Sequence, residues 1–462
     1  MKKTLLTICL TWMCFSLSAQ KIIDLSGKWS FSIDRQDNGE KEKWFSHTLN
    51  DCINLPGSMP EKLKGDEVTA KTQWTGSLYD SSYYYNPYME KYRKEGNIKF
   101  PFFLTPDKHY VGAAWYQKEV NIPADWKGER ILLFLERPHI ETTVWVNGQK
   151  TGMQNSLCVP HQYDITRYVR PGKCTITIRV DNRIKEINVG PDSHSITDQT
   201  QGNWNGIVGR ICLQTTPKTY FDDIQIYPEP EQKLARVKVV IKGAGITKIK
   251  LSAESFNTDK KHIVPAIQQE IKLNKGVTET EMVLPMGNDM LLWDEFHPAL
   301  YKLKAEVTNG KKTEIKEIQF GMRRFEIKGK WFYVNGRKTQ LRGTVENCDF
   351  PLTGYAPMDV ESWERVFRIC RSYGLNHMRF HSFCPPEAAF IAADRVGFYL
   401  QPEGPSWPNH GPKLGLGQPI DTYLMNETIA LTKEYGNEAS YCMLECGNEP
   451  SGRWVEWVTK FV

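Results

Sequence analysis

From Ile22 to about Thr216 the apolar positions fall in short alternating runs, GKWSFSID, RILLFLE, TTVWVNGQK and CTITIRVDN, each closed by turn residues. A period of two puts one face of each run into a core, so the runs predict strands. The Asn-Gly pair in Val146-Asn147-Gly148-Gln149 accepts the positive φ values of a type I′ turn, which makes its flanking runs a hairpin. The segment reads as an all-β domain, a jelly-roll sandwich. Residues 74–110 interrupt it with an aromatic-rich insert containing SSYYYNPYMEKYRKEGNIKFPFF, expected as a long loop. Its aromatics either pack the loop onto its own domain or offer a sugar a platform.

From Tyr220 to about Gln319 the runs ARVKVVIK, KIKLSAES, TETEMVLP and LYKLKAEV continue the β pattern. About seven short strands in roughly 100 residues predict an immunoglobulin-like sandwich. Beyond Phe325 the rhythm changes. LRGTVE (341–346) is a strand, and Val360, Trp363, Val366, Phe367, Cys370 and Tyr373 then recur with a helical period closed by Gly374. LNHMRFH (375–381) is a second strand, Pro385-Pro386 opens a helix closing at Gly397, and FYLQPE (398–403) is a third strand. Leu424, Thr428, Leu431 and Tyr435 mark another helix before a fourth strand, SYCMLEC (440–446). Strands separated by helices pair in parallel through right-handed crossovers, so four such units predict a doubly wound sheet or a barrel. Glu346, Glu403 and Glu449 stand at the ends of strands one, three and four, where a barrel carries its chemistry.

Composition narrows the function classes. The 462 residues suffice for two to four domains, and a net charge of +5 without a polybasic block argues against nucleic acid as a partner. At the N-terminus Lys2-Lys3, an apolar stretch from Leu5 to Leu17 and Ser18-Ala19-Gln20 have the three regions of a secretory signal peptide, with cleavage expected after Ala19. The stretch is too short to span a bilayer. Cys9 and Cys14 lack the small preceding residues of a lipid-anchor site, so a soluble periplasmic or extracellular product is expected, without membrane attachment after cleavage. Of 11 cysteines, those beyond the leader have no repeated spacing and read as buried thiols rather than a disulfide framework. Cys442 and Cys446 with His377 and His381 would be a zinc set. Each pair, however, lies in an apolar strand-like run.

Carboxylates converging on one mouth are what glycosidic-bond cleavage needs, one to protonate the leaving oxygen and one to attack the anomeric carbon or activate water. At this point the chain resembles glycoside hydrolase family 2, which includes β-galactosidases, β-glucuronidases and β-mannosidases. The resemblance runs in order through DLSGKWSFSID, AAWYQKEVNIP, VWVNGQKTG, GIVGRICL, LWDEFHPALYKL, FGMRRFEIKGKWFYVNGRKTQLRG and NEASYCMLECGNEP. It implies a signal peptide over 1–19, a jelly-roll sugar-binding domain over 20–218, an immunoglobulin-like β-sandwich over 219–325 and, over 326–462, strands one to four of a catalytic (β/α)8 TIM barrel. It also implies retaining hydrolysis of β-linked glycans, a β-galactoside or β-glucuronide foremost, with Glu449 as acid/base and Asn448 bonding the sugar 2-hydroxyl.

Arg379, His381, Glu403, Trp407 and Glu346 complete the expected mouth. For Arg379 and His381 a structural ion pair and a core histidine stay open, and for Trp407 packing under its loop. Phe380-His381-Ser382-Phe383-Cys384-Pro385 displaces the family's histidine, Pro402, Gly404 and Pro405 replace the usual neighbours of Glu403, and Glu438-Ala439 stand where His-Pro is common. The Glu-Thr-His segment of magnesium-dependent members is replaced by Ser406-Trp407-Pro408, so neither a metal site nor a cofactor is expected. The family's nucleophile, a glutamate at the end of strand seven, is absent from the chain. Three readings follow: a fragment of a longer product, one half of a split enzyme completed by a second polypeptide, or Glu403 as the partner carboxylate; a noncatalytic carbohydrate-binding protein is the second function class. By itself the chain is expected to be inactive. Trp454, Trp457, Val458 and Phe461 after Glu449 begin an amphipathic helix whose stripe needs cover.

Overall fold

The computed structural model describes residues 20–350 and 352–461; the leader read at 1–19 lies outside them. Two facing sheets form the first region. One has five strands, in the order Ile22–Asp24, Gly206–Thr216, Arg130–His139, His161–Asp164, with Gly57–Ser58 also on Gly206–Thr216. The other has six, in the order Gln149–Asn155, Glu141–Val146, Gly172–Asp181, Ala113–Ile122, Gly27–Asp34, Asp51–Leu55. Alternate residues such as Trp29, Phe31, Leu133, Leu135, Val144, Ile176 and Ile178 fill the space between them, each stabilising the sandwich by about 1.5–3 kcal/mol. Asn147 and Gly148 take φ of 50° and 77°, and Val146 pairs with Gln149 across the turn. The insert is mostly irregular, with a helical turn at Ser82–Tyr85, a 3-10 segment at Pro87–Tyr92 and a short ladder between Asp66–Glu67 and Lys108–His109.

The second region corrects the expected strand count. Five strands appear here, because Leu234–Phe256 runs through both ARVKVVIK and KIKLSAES, read from the sequence as separate strands, and TETEMVLP is only the last part of Ile263–Pro285. The first half of Leu234–Phe256 pairs with Tyr220–Glu229 and the second with Leu300–Asn309. The register shifts between them at Gly243 and Gly245, where a bulge bends the strand so that both halves face one core. Val237, Val239 and Ile241 thereby share a cluster with Ile249, Leu251 and Ala253.

In the third region β1 (Gly343–Glu346), β2 (His377–Phe380) and β3 (Tyr399–Gln401) form a parallel sheet in that order. Between and after them lie α1 (Val360–Ser372), α2 (Glu387–Val396), α3 (Pro419–Tyr435) and α4 (Trp454–Phe461). The Asp359 carboxylate caps α1 by accepting the Ser362 amide at 2.8 Å. Pro386 precedes α2, and Gly397 at φ 77° ends it. Met378, Phe380 and Leu400 pack against Trp363, Phe367, Phe390 and Leu431 of the helices, so His377, Arg379 and Gln401 project from the opposite face.

The run 440–446 joins this sheet only through parallel bridges of Leu400 with Tyr441 and Glu403 with Glu445, rather than as a continuous fourth strand. Leu400 to Glu403 is three steps and Tyr441 to Glu445 four, so the run carries one extra residue, a bulge that interrupts the ladder. The buried Asp394 carboxylate takes the amides of Ala439 at 2.9 Å and Ser440 at 2.6 Å just ahead of the first bridge. Trp457 of α4 is buried against Leu414, Ile420 and Leu424, which covers the stripe's centre within the chain.

Buried polar groups join the regions. The Arg137 guanidinium donates to the carbonyls of Leu157 at 2.6 Å, Cys384 at 3.1 Å and Pro385 at 3.2 Å. Gln319 of the second region donates to Asp394 at 2.9 Å and Glu438 at 3.0 Å. Among the described residues no helix is long and apolar enough to cross a membrane, and the nine described cysteines form no disulfide.

Candidate active site

The carboxyl ends of β2, β3 and the bridged 440–446 run bring polar side chains onto one side of the sheet. Arg379 of β2 lies opposite Gln401 of β3, and its Nε stands 2.5 Å from Oε1 of Glu403. The Glu403 side chain is fully buried, and its other oxygen accepts the Ser382 amide at 2.6 Å. Burial outweighs the help from that amide and from Arg379, and pushes the Glu403 carboxyl up to about 7. Nη2 of Arg379 donates to Oδ1 of Asn448 at 2.8 Å. Since arginine only donates, this bond fixes the orientation of the Asn448 amide. Its Nδ2 is left as a buried donor without a partner.

Glu449 follows on a tight corner. Gly447 has φ 153°, and a Cβ there would sit 2.5 Å from the Ser406 carbonyl oxygen. Glu449 itself takes φ 43°, a left-handed conformation that costs a non-glycine residue about 1–3 kcal/mol and concentrates at functional sites. Its Oε2 accepts Nε1 of Trp407 at 3.0 Å, and the Trp407 loop is tied back by the Asn448 amide donating to the Ser406 carbonyl at 2.8 Å. The Trp407 ring meets His381 edge-on at a 5.0 Å centroid distance.

His381 stacks in turn on a ring from the jelly-roll region, His194, at 4.3 Å. The loop carrying His194 is fastened to the site at several points. The Trp407 amide donates to the Val189 carbonyl at 2.9 Å, the His194 amide to Ser382 Oγ at 2.9 Å, and Ser195 Oγ to the Ser382 carbonyl at 2.7 Å. Burial, with His381 and Arg379 nearby, pushes His194 down to about 3, and burial lowers His381 as well. Both rings are therefore neutral at pH 7, and Nδ1 of each is buried without a partner. An exposed carboxylate on a strained corner, an oriented amide donor and two neutral imidazoles make a site suited to hydroxyl-bearing ligands and proton transfer.

Residues 22–217 match the family model of the glycosyl hydrolases family 2 sugar binding domain, and residues 219–323 match a second family 2 model. The chain belongs to glycosyl hydrolase family 2. A β-galactosidase of Thermoanaerobacter pseudethanolicus is 25% identical over 334 residues, covering 68% of this chain and 42% of the relative. Human β-glucuronidase is 23% identical over 470 residues, covering 93% of this chain and 64% of the relative. The chain thus spans between two fifths and two thirds of the length of these relatives. The structure of Ruminococcus gnavus β-glucuronidase in complex with D-glucaro-d-lactam superposes with a TM-score of 0.71 at 18% identity, covering 96% of this chain and 69% of that one; at that identity the likeness concerns the fold.

Of the residues singled out in this family 2 chain, the structure gathers Arg379, His381, Glu403, Trp407, Asn448 and Glu449 into one contact network. Glu346 stays outside it. Its carboxylate accepts the amides of Cys348 at 2.8 Å and Asp349 at 3.3 Å and so caps its own loop, with burial raising its pKa. Arg379 and Glu403 are an ion pair that also positions Asn448, which joins the two readings open for Arg379. Cys442, Cys446, His377 and His381 do not converge, and among the described residues no group of three or more His, Cys, Asp or Glu could hold a metal ion. Glu438, which departs from the family pattern, is a half-buried partner of Gln319.

His194 and its loop are absent from the sequence-based list. The available signal was the long irregular stretch between the strands ending at Asp181 and beginning at Gly206, rich in small polar residues. A loop of that length in a compact domain is commonly functional.

Proposed function

We propose that this chain carries the acid/base half of a retaining exo-β-glycosidase site acting on β-linked glycans, β-galactosides or β-glucuronides foremost, in an exported protein. In this reading the parallel sheet and its helices are the first half of a (β/α)8 barrel, and the attacking carboxylate comes from a further polypeptide segment. The observation that carries it is Glu449. One carboxylate oxygen is held by Trp407 at 3.0 Å, which leaves the other for the glycosidic oxygen. As acid, Glu449 gives its proton to the departing oxygen; as base, it takes one from the water that releases the sugar. The unpartnered Nδ2 of Asn448 supplies a donor for the 2-hydroxyl. His194 and His381, uncharged, offer nitrogens to further ring hydroxyls.

The test uses the protein as its natural host makes it, with whatever completes the barrel. Glu449→Gln should lower turnover of alkyl β-glycosides by about 100-fold or more, while dinitrophenyl glycosides, whose leaving group needs no proton, lose far less. Azide should restore the latter as glycosyl azide of retained configuration. Equal losses on both substrates would remove Glu449 from the acid/base role.

A further inference from the structure

The aromatic insert divides into an inner and an outer set. Tyr83 and Phe100 are buried with rings 4.8 Å apart, and Trp74 packs on Phe100 and Phe103. These rings hold the insert together. Tyr79, Tyr85 and Tyr88 are instead 61%, 72% and 85% exposed, and the half-exposed Tyr84 lies 6.1 Å from the Tyr79 ring. So much aromatic surface gathered on one short segment is uncommon on a monomer without a ligand to cover it.

The insert is fastened to the candidate site through one carboxylate. Asp192, 2% exposed, accepts the Ser77 amide at 2.6 Å and the Ser77 hydroxyl. The same side chain accepts Nδ2 of Asn409 at 2.9 Å and stands 3.5 Å from Nδ1 of His410. Asn409 lies two residues beyond Trp407, and Tyr79 two residues beyond Ser77. Two residues of chain reach at most about 7 Å, so with the bridge through Asp192 the backbones of Tyr79 and Trp407 lie within about 25 Å of each other.

Resting on the function proposed above, we propose that the exposed tyrosines form a platform for the β-linked glycan chain that extends from the scissile bond. A tyrosine ring lays an apolar face against the C–H face of a pyranose while its phenol reaches the sugar hydroxyls. With only two side-chain torsions, it does so at low entropic cost. Continuity with the Trp407 loop selects this occupant, since a chain held at Glu449 has the platform within reach of a few sugar units.

Titration calorimetry on the full chain tests this, with soluble galactan and chondroitin fragments as extended probes and methyl β-galactoside and methyl β-glucuronide as probes of the mouth alone. The combined Tyr79→Ala, Tyr85→Ala and Tyr88→Ala variant should bind at least one polymer about tenfold more weakly, with methyl glycoside binding and thermal unfolding unchanged. The three Tyr→Phe replacements should keep most of the affinity. The proposal is overturned if wild type binds neither polymer, if the alanine variant binds as wild type does, or if it only dissolves a dimer. Failure of the site reading looks different: methyl glycosides would ignore Trp407→Ala while polymer binding stayed tyrosine-dependent.

Discussion

Replacing Glu403 with glutamine tests the electrostatics on which the site stands. In the folded protein this carboxyl rises from an ordinary 4.5 to about 7, chiefly through burial. Its folded pKa lies above the unfolded one, so stability is fully present below pH 4.5, where both states hold the proton. It is lost as pH rises towards 7, because the unfolded chain ionises first. At about 1.4 kcal/mol per pH unit, that rise amounts to about 3 kcal/mol. Glutamine keeps an acceptor for the Ser382 amide and gives up the contact with Arg379, a penalty independent of pH. The stability difference between wild type and Glu403→Gln should therefore shift by about 3 kcal/mol in the variant's favour between pH 4.5 and 7.5. Urea unfolding followed by tryptophan fluorescence at several pH values measures this, and the difference cancels groups common to both proteins. A difference constant across the range would mean that Glu403 is ionised throughout, with Arg379 outweighing burial.

Two further substitutions probe how the regions are joined. Gly190→Ala would place a Cβ 1.7 Å from the Trp407 carbonyl oxygen at a residue with φ +98°, so the 189–195 loop must move; methyl glycoside binding should be lost while the far-ultraviolet dichroism of the sandwiches is kept. Arg137→Met strips three buried carbonyls of their donor and should cost about 3 kcal/mol or more, read as a lower urea midpoint for the transition that includes α2.

What could be read from the sequence depended on the range of the forces involved. The end of α1 and both boundaries of α2 were legible because Gly374, Pro386 and Gly397 act on their own turns. The merged strands of the second region were not. Glycines 243 and 245 carry the composition of a turn, and a bulge uses the same positive φ values, here 156° and 87°. The interruption of the fourth strand was not legible either, because the extra residue between Tyr441 and Glu445 shows only against the partner residues Leu400 and Glu403. Glu449 was legible as chemistry, but the strain at its φ and its bond to Trp407 became visible only in three dimensions.

The placement of His194 bears on the choice between a catalytic lineage and a binding module. A carbohydrate-binding domain acting alone would keep its polar loops free for its ligand. Here the loop of the jelly-roll region is committed to the other side of the boundary. Ser193 and Ser195 hydroxyls bond the backbone carbonyls of Pro405 at 3.0 Å and Ser382 at 2.7 Å, and His194 stacks on His381. Those are the residues around Trp407, which holds Glu449. The sandwich therefore forms one wall of the site proposed for acid/base chemistry. Its side chains hold the loop of a strained carboxylate in place, at a junction where about 1–3 kcal/mol of backbone strain at Glu449 has to be offset by neighbouring contacts.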